Sequence, residues 1–342
     1  MKLLIITQAV DSKNQVLGFF TQWLDEFARQ TEKVTVICLE KGEYSPPLNV
    51  QVYSLNKKPE TSKIKYALRF LSLIHKHKDS YDAVFVHMNP IYVLLGAIIW
   101  KINQKPITLW YTHKHISSTL RIAEKLVDQV FTASPESFLL KSKKLIVAGH
   151  GIDTNYFQPG ERKPKERKEV LTIGRISPIK SYEDMIEAIS LIPKSSRPIL
   201  RIIGAPINPE QETYYQNLLQ LIKEKRVEND IIFQGPVKHD SIVSFLQQAD
   251  ILLNLSNTDS LDKAILEAMA CQLRPITSNK AFVSILGQYG LIVPKNDPQT
   301  LAEKIQTELS QKEENLISLR SIIIKNHSLK SLIPKLISSI KK

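Results

Sequence analysis

The sequence predicts an α/β protein made of two doubly wound domains, each a parallel sheet flanked by helices. Three observations carry that reading. Short β-branched or aliphatic runs alternate with longer segments of helical period, the pattern of repeated strand–helix units. The alternation stops once, at QPGERKPKERK over 158–168, a run of Pro, Gly and basic residues with almost no apolar side chain, and then restarts. The chain has 342 residues, too many for one ordinary core and enough for two domains of ~100 to 200 residues.

In order, the first half offers strands at 2–7, 34–39, 50–54, 83–87, 107–112, 129–132 and 145–147, with helices at 19–29, 63–77, 91–102, 119–127 and 136–141 between most of them. The basic run is the exposed connector that closes a first domain over 1–160. Strands then recur at 170–174, 199–204, 231–233, 251–254, 275–277 and 291–293. The first helix among them sets Tyr182, Met185, Ile186 and Ile189 at i, i+3, i+4 and i+7, one stripe for a central sheet to cover. Segments 300–309, 316–325 and 329–340 read as helical, giving a second domain over 161–325 and a terminal helix, 326–342, expected to pack back on the first domain.

Composition narrows the class. Hydrophobic residues at 43% and charged residues at 23% suit a soluble chain with a sizeable core, and exclude a disordered or collagen-like one. The longest apolar run, 91–100, is half of the ~20 residues that cross a bilayer, and the opening MKLLIITQAV turns polar before an export-signal core forms. Cys38 and Cys271 stand far apart without further ligand pairs, so neither a disulfide framework nor a structural zinc site is expected. A cytoplasmic location follows as the expectation. The net charge of +12, with +7 in residues 1–160 and +5 in the remainder, favours acidic partners: nucleotides, nucleic acid or an anionic membrane surface. Nucleic acid is not expected, because basic residues interleaved with stacking aromatics are absent.

Ligands of open parallel sheets gather at the carboxyl ends of strands. There the second domain carries Gly174-Arg175 and, just before a helix, Lys180. An Arg fork and a Lys point charge at a helix N-terminus can hold a pyrophosphate, although a solvated basic loop has the same composition. In SNTDSLDKAILEAMAC, a helix beginning near Asp262 places Lys263 and Glu267 on one face with the loop carrying Asp259 beside them. Glu267 can accept two hydrogen bonds from a ribose diol while first-turn amides face phosphate; a surface i,i+4 salt bridge with a capping Asp is the plainer alternative.

These residues resemble the nucleotide-sugar-dependent glycosyltransferases of family 4. The resemblance rests on GR-x4-K at Gly174 to Lys180, on GPV at Gly235 to Val237, and on Glu-x7-Glu, here Asp259-x7-Glu267. Weaker likeness runs through HGID at 150–153, similar to the family's PNGVD, and through LIVPKNDPQTLAEKI near the end. The resemblance implies the GT-B architecture, two facing Rossmann-like doubly wound domains. It implies that Arg175 and Lys180 neutralise the donor diphosphate, that Glu267 binds its ribose, that Asp259 contacts the transferred sugar and that Gly235 lies near the base. It further implies a metal-free, retaining transfer that needs no cofactor beyond the nucleoside diphosphate sugar as co-substrate, and a glycan or lipid-linked acceptor. No Asp-x-Asp metal motif is present.

In the first domain the resemblance points to His113 in YTHKH as the active-site histidine, with His115 as the alternative should the strand end later, and a satisfied structural group as the plain reading. The loop over 8–18 is expected to approach the phosphates or acceptor, with Gly18 allowing close backbone approach. The chain departs from the family in keeping only Gly18 of a glycine-rich first loop, in the shorter Asp259, and in SNKAFVSILG where paired glycines are usual.

The sequence thus reads as a cytoplasmic glycosyltransferase. An epimerase or hydrolase of the same fold and a non-catalytic binding protein are the alternatives. One further segment, SKIKYALRFLSLIHKHK, is expected to bury Ile64, Ala67, Leu68, Leu71 and Ile74 and to expose Phe70 and Leu73. Lys65, Arg69 and Lys76 on its flank, with Lys57 and Lys58 before it, suit either a solvated helix face or peripheral docking on the inner face of an anionic membrane.

Overall fold

The computed structural model describes residues 1–14, 17–57, 62–311 and 316–340. Gln15 and Val16 of the loop over 8–18, and Lys58 of the basic cluster, lie outside the described residues. The polypeptide divides into two units, Met1–Asp153 with Asn326–Lys342, and Thr154–Lys325. Residues 154–160 therefore group with the second unit rather than closing the first.

In the first unit the opening apolar run becomes β1 (Lys2–Val10), whose side chains alternate between two cores: Leu3 and Ile5 in one, Leu4 and Ile6 in the other. A strand buried on both faces belongs in the middle of a parallel sheet, and β1 sits there. The order of elements is α1 (Phe20–Gln30), β2 (Lys33–Lys41), β3 (Val50–Ser54), α2 (Lys63–Lys76), β4 (Ala83–His87), α3 (Pro90–Ile102), β5 (Ile107–Trp110), α4 (Ser118–Leu126), β6 (Gln129–Thr132) and β7 (Leu145–Val147). The seven strands run parallel in the order β3-β2-β1-β4-β5-β6-β7, so the strand order reverses between β1 and β4.

The second unit opens with β8 (Glu169–Ile173) and continues through α5 (Tyr182–Leu191), β9 (Ile199–Ile203), α6 (Pro209–Lys225), β10 (Ile231–Gly235), α7 (His239–Gln248), β11 (Ile251–Asn254), α8 (Lys263–Ala270), β12 (Arg274–Thr277), the short α9 (Val283–Leu286), α10 (Pro298–Ser310) and α11 (Leu316–His327). Its five parallel strands order as β10-β9-β8-β11-β12, with the reversal between β8 and β11. The stripe of α5 is fully buried.

The chain then returns to the first unit. Ile152 and Ser328 form a parallel bridge, and α12 (Leu329–Ile340) packs on α1, joining Leu332, Ile333, Leu336 and Ile337 to Trp23, Leu24 and Phe27 in one core. Two glycines make the turn before this crossing. A Cβ on Gly149 (φ +90°) would stand 2.1 Å from the Asn326 carbonyl oxygen, and one on Gly151 (φ +73°) 2.7 Å from the Trp23 ring.

Several expectations are corrected. Helix 136–141 is absent: Pro135–Ser137 make one 3-10 turn, and the chain then extends at Phe138 (φ −144°), which is buried against Tyr111. Residues 291–293 form no strand, only an isolated bridge from Ile292 to Thr277. β5 ends at Trp110, two residues early. In α2 the buried face is rotated from the expected one: Ile74 is buried as expected, but Phe70 is buried with it, lying 4.7 Å from Tyr92, while Ile64 and Leu68 are 71% and 62% exposed. The helix turns toward α3, and aromatic packing there outweighs the aliphatic stripe. The connector is exposed but fastened, with Arg162 donating to the Gln272 carbonyl and Arg167 paired with Asp230 at 2.5 Å. Cys38 and Cys271 are free thiols, both buried.

Candidate active site

The reversal of strand order in the second unit brings together the loops after β8 and β11, the position where open α/β sheets bind ligands. β8 ends in Gly174-Arg175, and the chain then makes a 3-10 turn over Pro178–Lys180 before Ser181, in the left-handed region (φ 50°), starts α5. The buried Tyr182 hydroxyl donates to the carbonyls of Gly174 and Arg175 at 2.9 and 3.3 Å, fixing the loop from beneath; burial pushes that phenol's pKa up and keeps it a donor. Glycine is required at 204 (φ +147°), and at 174 it leaves room for a long side chain. The Lys180 side chain crosses Gly174, where a Cβ would meet its Cε at 2.8 Å, and a Cβ on Gly204 would lie 1.9 Å from the Gly174 carbonyl oxygen. The Gly204 amide in turn donates to the Gly235 carbonyl at 3.0 Å, so the loops after β8, β9 and β10 step across the sheet edge in contact. Sequence reasoning selected Gly174 and Gly235 but passed over Gly204; a glycine directly after an apolar strand run was the available signal.

The five charged residues of the expected donor site differ in state. Arg175 is exposed and its guanidinium has no hydrogen bond or ion pair among the described residues. Lys180 is half-buried, and its Nζ lies 2.6 Å from Asp262 Oδ2. Asp259 occupies the left-handed region (φ 46°), a conformation non-glycine residues rarely adopt, and pairs with Lys295 at 3.4 Å. Glu267 is only 5% exposed, one turn after Lys263 on α8, so it is a buried carboxylate and not one on a solvated helix face. Burial lowers the Lys263 pKa to about 8, against the opposing pull of the Glu267 carboxylate.

The sequence reading placed Asp262 at the start of the helix and kept a capping Asp as an alternative, but did not see that Asp262 ties this loop pair together. Asp262 is the N-cap of α8: its Oδ1 accepts from the Ala264 amide at 3.2 Å, while its Oδ2 accepts from Lys180 and from Asn254 Nδ2 at 3.0 Å. Burial works against its charge, but the Lys180 ammonium and these hydrogen bonds outweigh it and hold the carboxyl below the usual carboxylate range. The first turn of α8 is therefore already capped by a carboxylate, the capping Asp that the sequence offered as the alternative to free first-turn amides. Asn279, fully buried in SNKAFVSILG, donates to the Ser260 carbonyl at 2.8 Å and ties the loop after β12 to the same place.

In the first unit His113 and His115 are both exposed beyond β5. The His115 amide donates to His113 Nδ1 at 3.0 Å, so the neutral His113 ring carries its proton on Nε2. Because β5 stops early, His113 is the nearer of the two to the strand end. Gly18 is required by its own loop: a Cβ there would meet the Asn14 and Ser12 carbonyl oxygens at 2.7 and 2.8 Å. Across the reversal point of this sheet, Gln8 Nε2 donates to Asn89 Oδ1 at 3.2 Å. A cleft of about 490 Å³ lined by Lys101, Lys105, Asp128 and Ile340 lies at the amino ends of β5 and β6, the opposite end from His113. Among the described residues no group of three or more His, Cys, Asp or Glu is placed to hold a metal ion, and no helix is long and apolar enough to cross a membrane.

Comparison with known proteins agrees with this geometry. The model of the family described as Glycosyl transferases group 1 matches residues 153–327, just over half of the chain. N-acetyl-alpha-D-glucosaminyl L-malate synthase of Bacillus anthracis is 24% identical over 238 residues, 64% of this chain and 60% of that protein. D-inositol 3-phosphate glycosyltransferase of Corynebacterium glutamicum is 26% identical over 192 residues, 51% of this chain and 45% of that protein. The matched region thus spans about half the length of such curated relatives. In fold, the whole chain superposes on Alr3699/HepE of Anabaena, crystallised with UDP and glucose, with a TM-score of 0.78, 18% identity and full coverage of both chains. A glycosyltransferase of Rickettsia africae gives 0.79 at 18% identity, over 99% of this chain and 98% of that one. The two-sheet α/β architecture is that of GT-B glycosyltransferases.

Proposed function

The chain belongs to the glycosyl transferases group 1 family, and on that premise we propose that it moves a sugar from a nucleoside diphosphate sugar to an acceptor hydroxyl, retaining the anomeric configuration and using no divalent ion. One observation carries the reading: an exposed, unpaired Arg175 stands at the strand-order reversal beside Lys180 and the buried Glu267 helix. Transfer leaves negative charge on the departing diphosphate. A planar guanidinium held on a loop braced by Tyr182 meets that charge without reorganising, and catalysis is then positioning plus electrostatic stabilisation. Glu267 accepts from the ribose, Asp259 from the transferred sugar, and His113 offers its Nε2 proton to a sugar hydroxyl. Uridine is the first donor nucleoside to try, since Anabaena HepE is crystallised with UDP.

The test is a transfer assay in EDTA with a panel of nucleotide sugars and acceptors. Arg175→Ala should lose at least ~100-fold in kcat/KM, the scale of one preorganised donor at a developing charge. Its melting temperature should not change, because the side chain makes no bond to lose. Near-normal turnover by the variant, or donor isomerised or hydrolysed with no sugar passed on, contradicts the proposal; so does activity that EDTA abolishes and one divalent metal restores.

The acceptor side of the proposal concerns α2. Its sequence KIKYALRFLSLIHK contains no acidic residue, and Lys63, Lys65, Arg69 and Lys76 are exposed without ion pairs among the described residues. Beside them lie the exposed Ile64 and Leu68, one turn apart, and the neighbouring α3 exposes Ile98 and Ile102. Apolar side chains set among unpaired cations favour an anionic lipid surface, which suits a lipid-linked or membrane-proximal acceptor.

A further inference from the structure

The diphosphate subsite proposed above already contains an anion, and the chain supplies it. Lys180 Nζ, Asn254 Nδ2 and the Ala264 amide converge on the two oxygens of Asp262 at 2.6, 3.0 and 3.2 Å. An ammonium, a side-chain amide and a first-turn N–H of a helix are the donor set that a phosphate oxygen seeks. The geometry is held from several sides. Gly174 leaves room for Lys180 to fold over it, and the Asn257 amide donates to the Ile179 carbonyl at 2.9 Å, joining the loop after β11 to the turn that carries Lys180. A second cation of the same region, Lys295, is also paired, with Asp259. Arg175 alone of these three cations has no partner among the described residues.

We infer that Asp262 is a built-in counter-anion of the diphosphate subsite, holding Lys180 while the subsite is empty and competing with the diphosphate for Lys180 and for the first turn of α8. The inference rests on the proposed reading of Arg175 and Lys180 as diphosphate ligands. Its consequence is discrimination by charge. A nucleoside diphosphate carries about one more negative charge near neutral pH than the nucleotide sugar it comes from, so a fixed carboxylate disfavours the product more than the donor. Asp262 thereby makes the spent nucleotide leave more easily, a step that limits turnover in many enzymes.

Titration calorimetry on the full chain tests this, with inorganic pyrophosphate as a base-independent probe and UDP against UDP-glucose as the charge comparison. Asp262→Asn should bind pyrophosphate and UDP about tenfold more tightly, with a smaller gain for UDP-glucose, and adding Lys180→Ala should remove the gain. Asp262→Ser keeps a good N-cap without the charge and should shift affinity in the same direction, so a poorly folding Asn variant does not end the test. Unchanged or weaker pyrophosphate binding in both variants overturns the inference. Arg175→Ala separates the two readings: if it binds pyrophosphate like the parent chain, the diphosphate assignment itself fails, whereas weakening by Arg175→Ala without tightening by either Asp262 variant rejects the counter-anion alone.

Discussion

At the scale of single residues, chemistry at the second sheet's edge depends on which charges are spent inside the protein. Glu267 was legible as a ligand candidate because it follows Lys263 by one helical turn, yet only its 5% exposure separates a buried acceptor from a surface salt bridge. Glu267→Gln should raise the donor KM about tenfold, the cost of a charge-assisted hydrogen bond to ribose. A parent chain that prefers a ribo- over a 2′,3′-dideoxynucleoside diphosphate, and a variant that does not, is the expected pair of results; equal binding of both nucleotides by the parent chain rejects the ribose role. The pairing of Lys180 with Asp262 was not legible, because it links residues 82 positions apart and no local period reports such a contact. Gly18 is the reverse case, a glycine singled out for close approach to a ligand whose space is taken by the carbonyls of its own loop.

Among the elements, α2 shows how a helix can be read correctly and its face incorrectly. The extent of the helix follows from its apolar period and the Ser62 cap, whose hydroxyl accepts from the Lys65 amide at 3.4 Å. The face depends on what the helix meets, and Phe70 reaching Tyr92 and Trp100 pulls it round so that Ile64 and Leu68 face out. Sedimentation with vesicles reads the consequence. Binding should increase with phosphatidylserine content and fall with added salt. It should drop at least ~tenfold when Lys65, Arg69 and Lys76 become Ser, each cation contributing about 1 kcal/mol at low salt. Equal recovery on neutral and anionic vesicles would falsify the docking role.

For the whole molecule, the return of α12 to the first unit ties stability to pH through one residue. His327 is buried beside the bridge from Ile152 to Ser328, its Nδ1 has no hydrogen-bond partner among the described residues, and burial lowers its pKa to about 4. The folded chain thus keeps the ring neutral where the unfolded chain, with a pKa near 6.5, accepts a proton. Stability is full above about pH 6.5 and is lost as the pH falls toward 4, by up to about 3 kcal/mol. His327→Leu should flatten that acid limb in thermal melts between pH 7 and 4.5; parallel curves for variant and parent rule it out. By itself the amino-acid sequence determined the class of fold, most strand positions, the α5 stripe and the order of the donor-site motifs, because these are local patterns of period, turn residues and spacing. Only the tertiary structure decided which face of α2 is buried, that Pro135–Ser137 stop short of a helix, that Arg175 has no side-chain partner among the described residues, and that Asp262 already occupies the donors around Lys180. Those outcomes arise from contacts between residues distant in the chain, whose energies depend on burial and on partners that no sequence window contains.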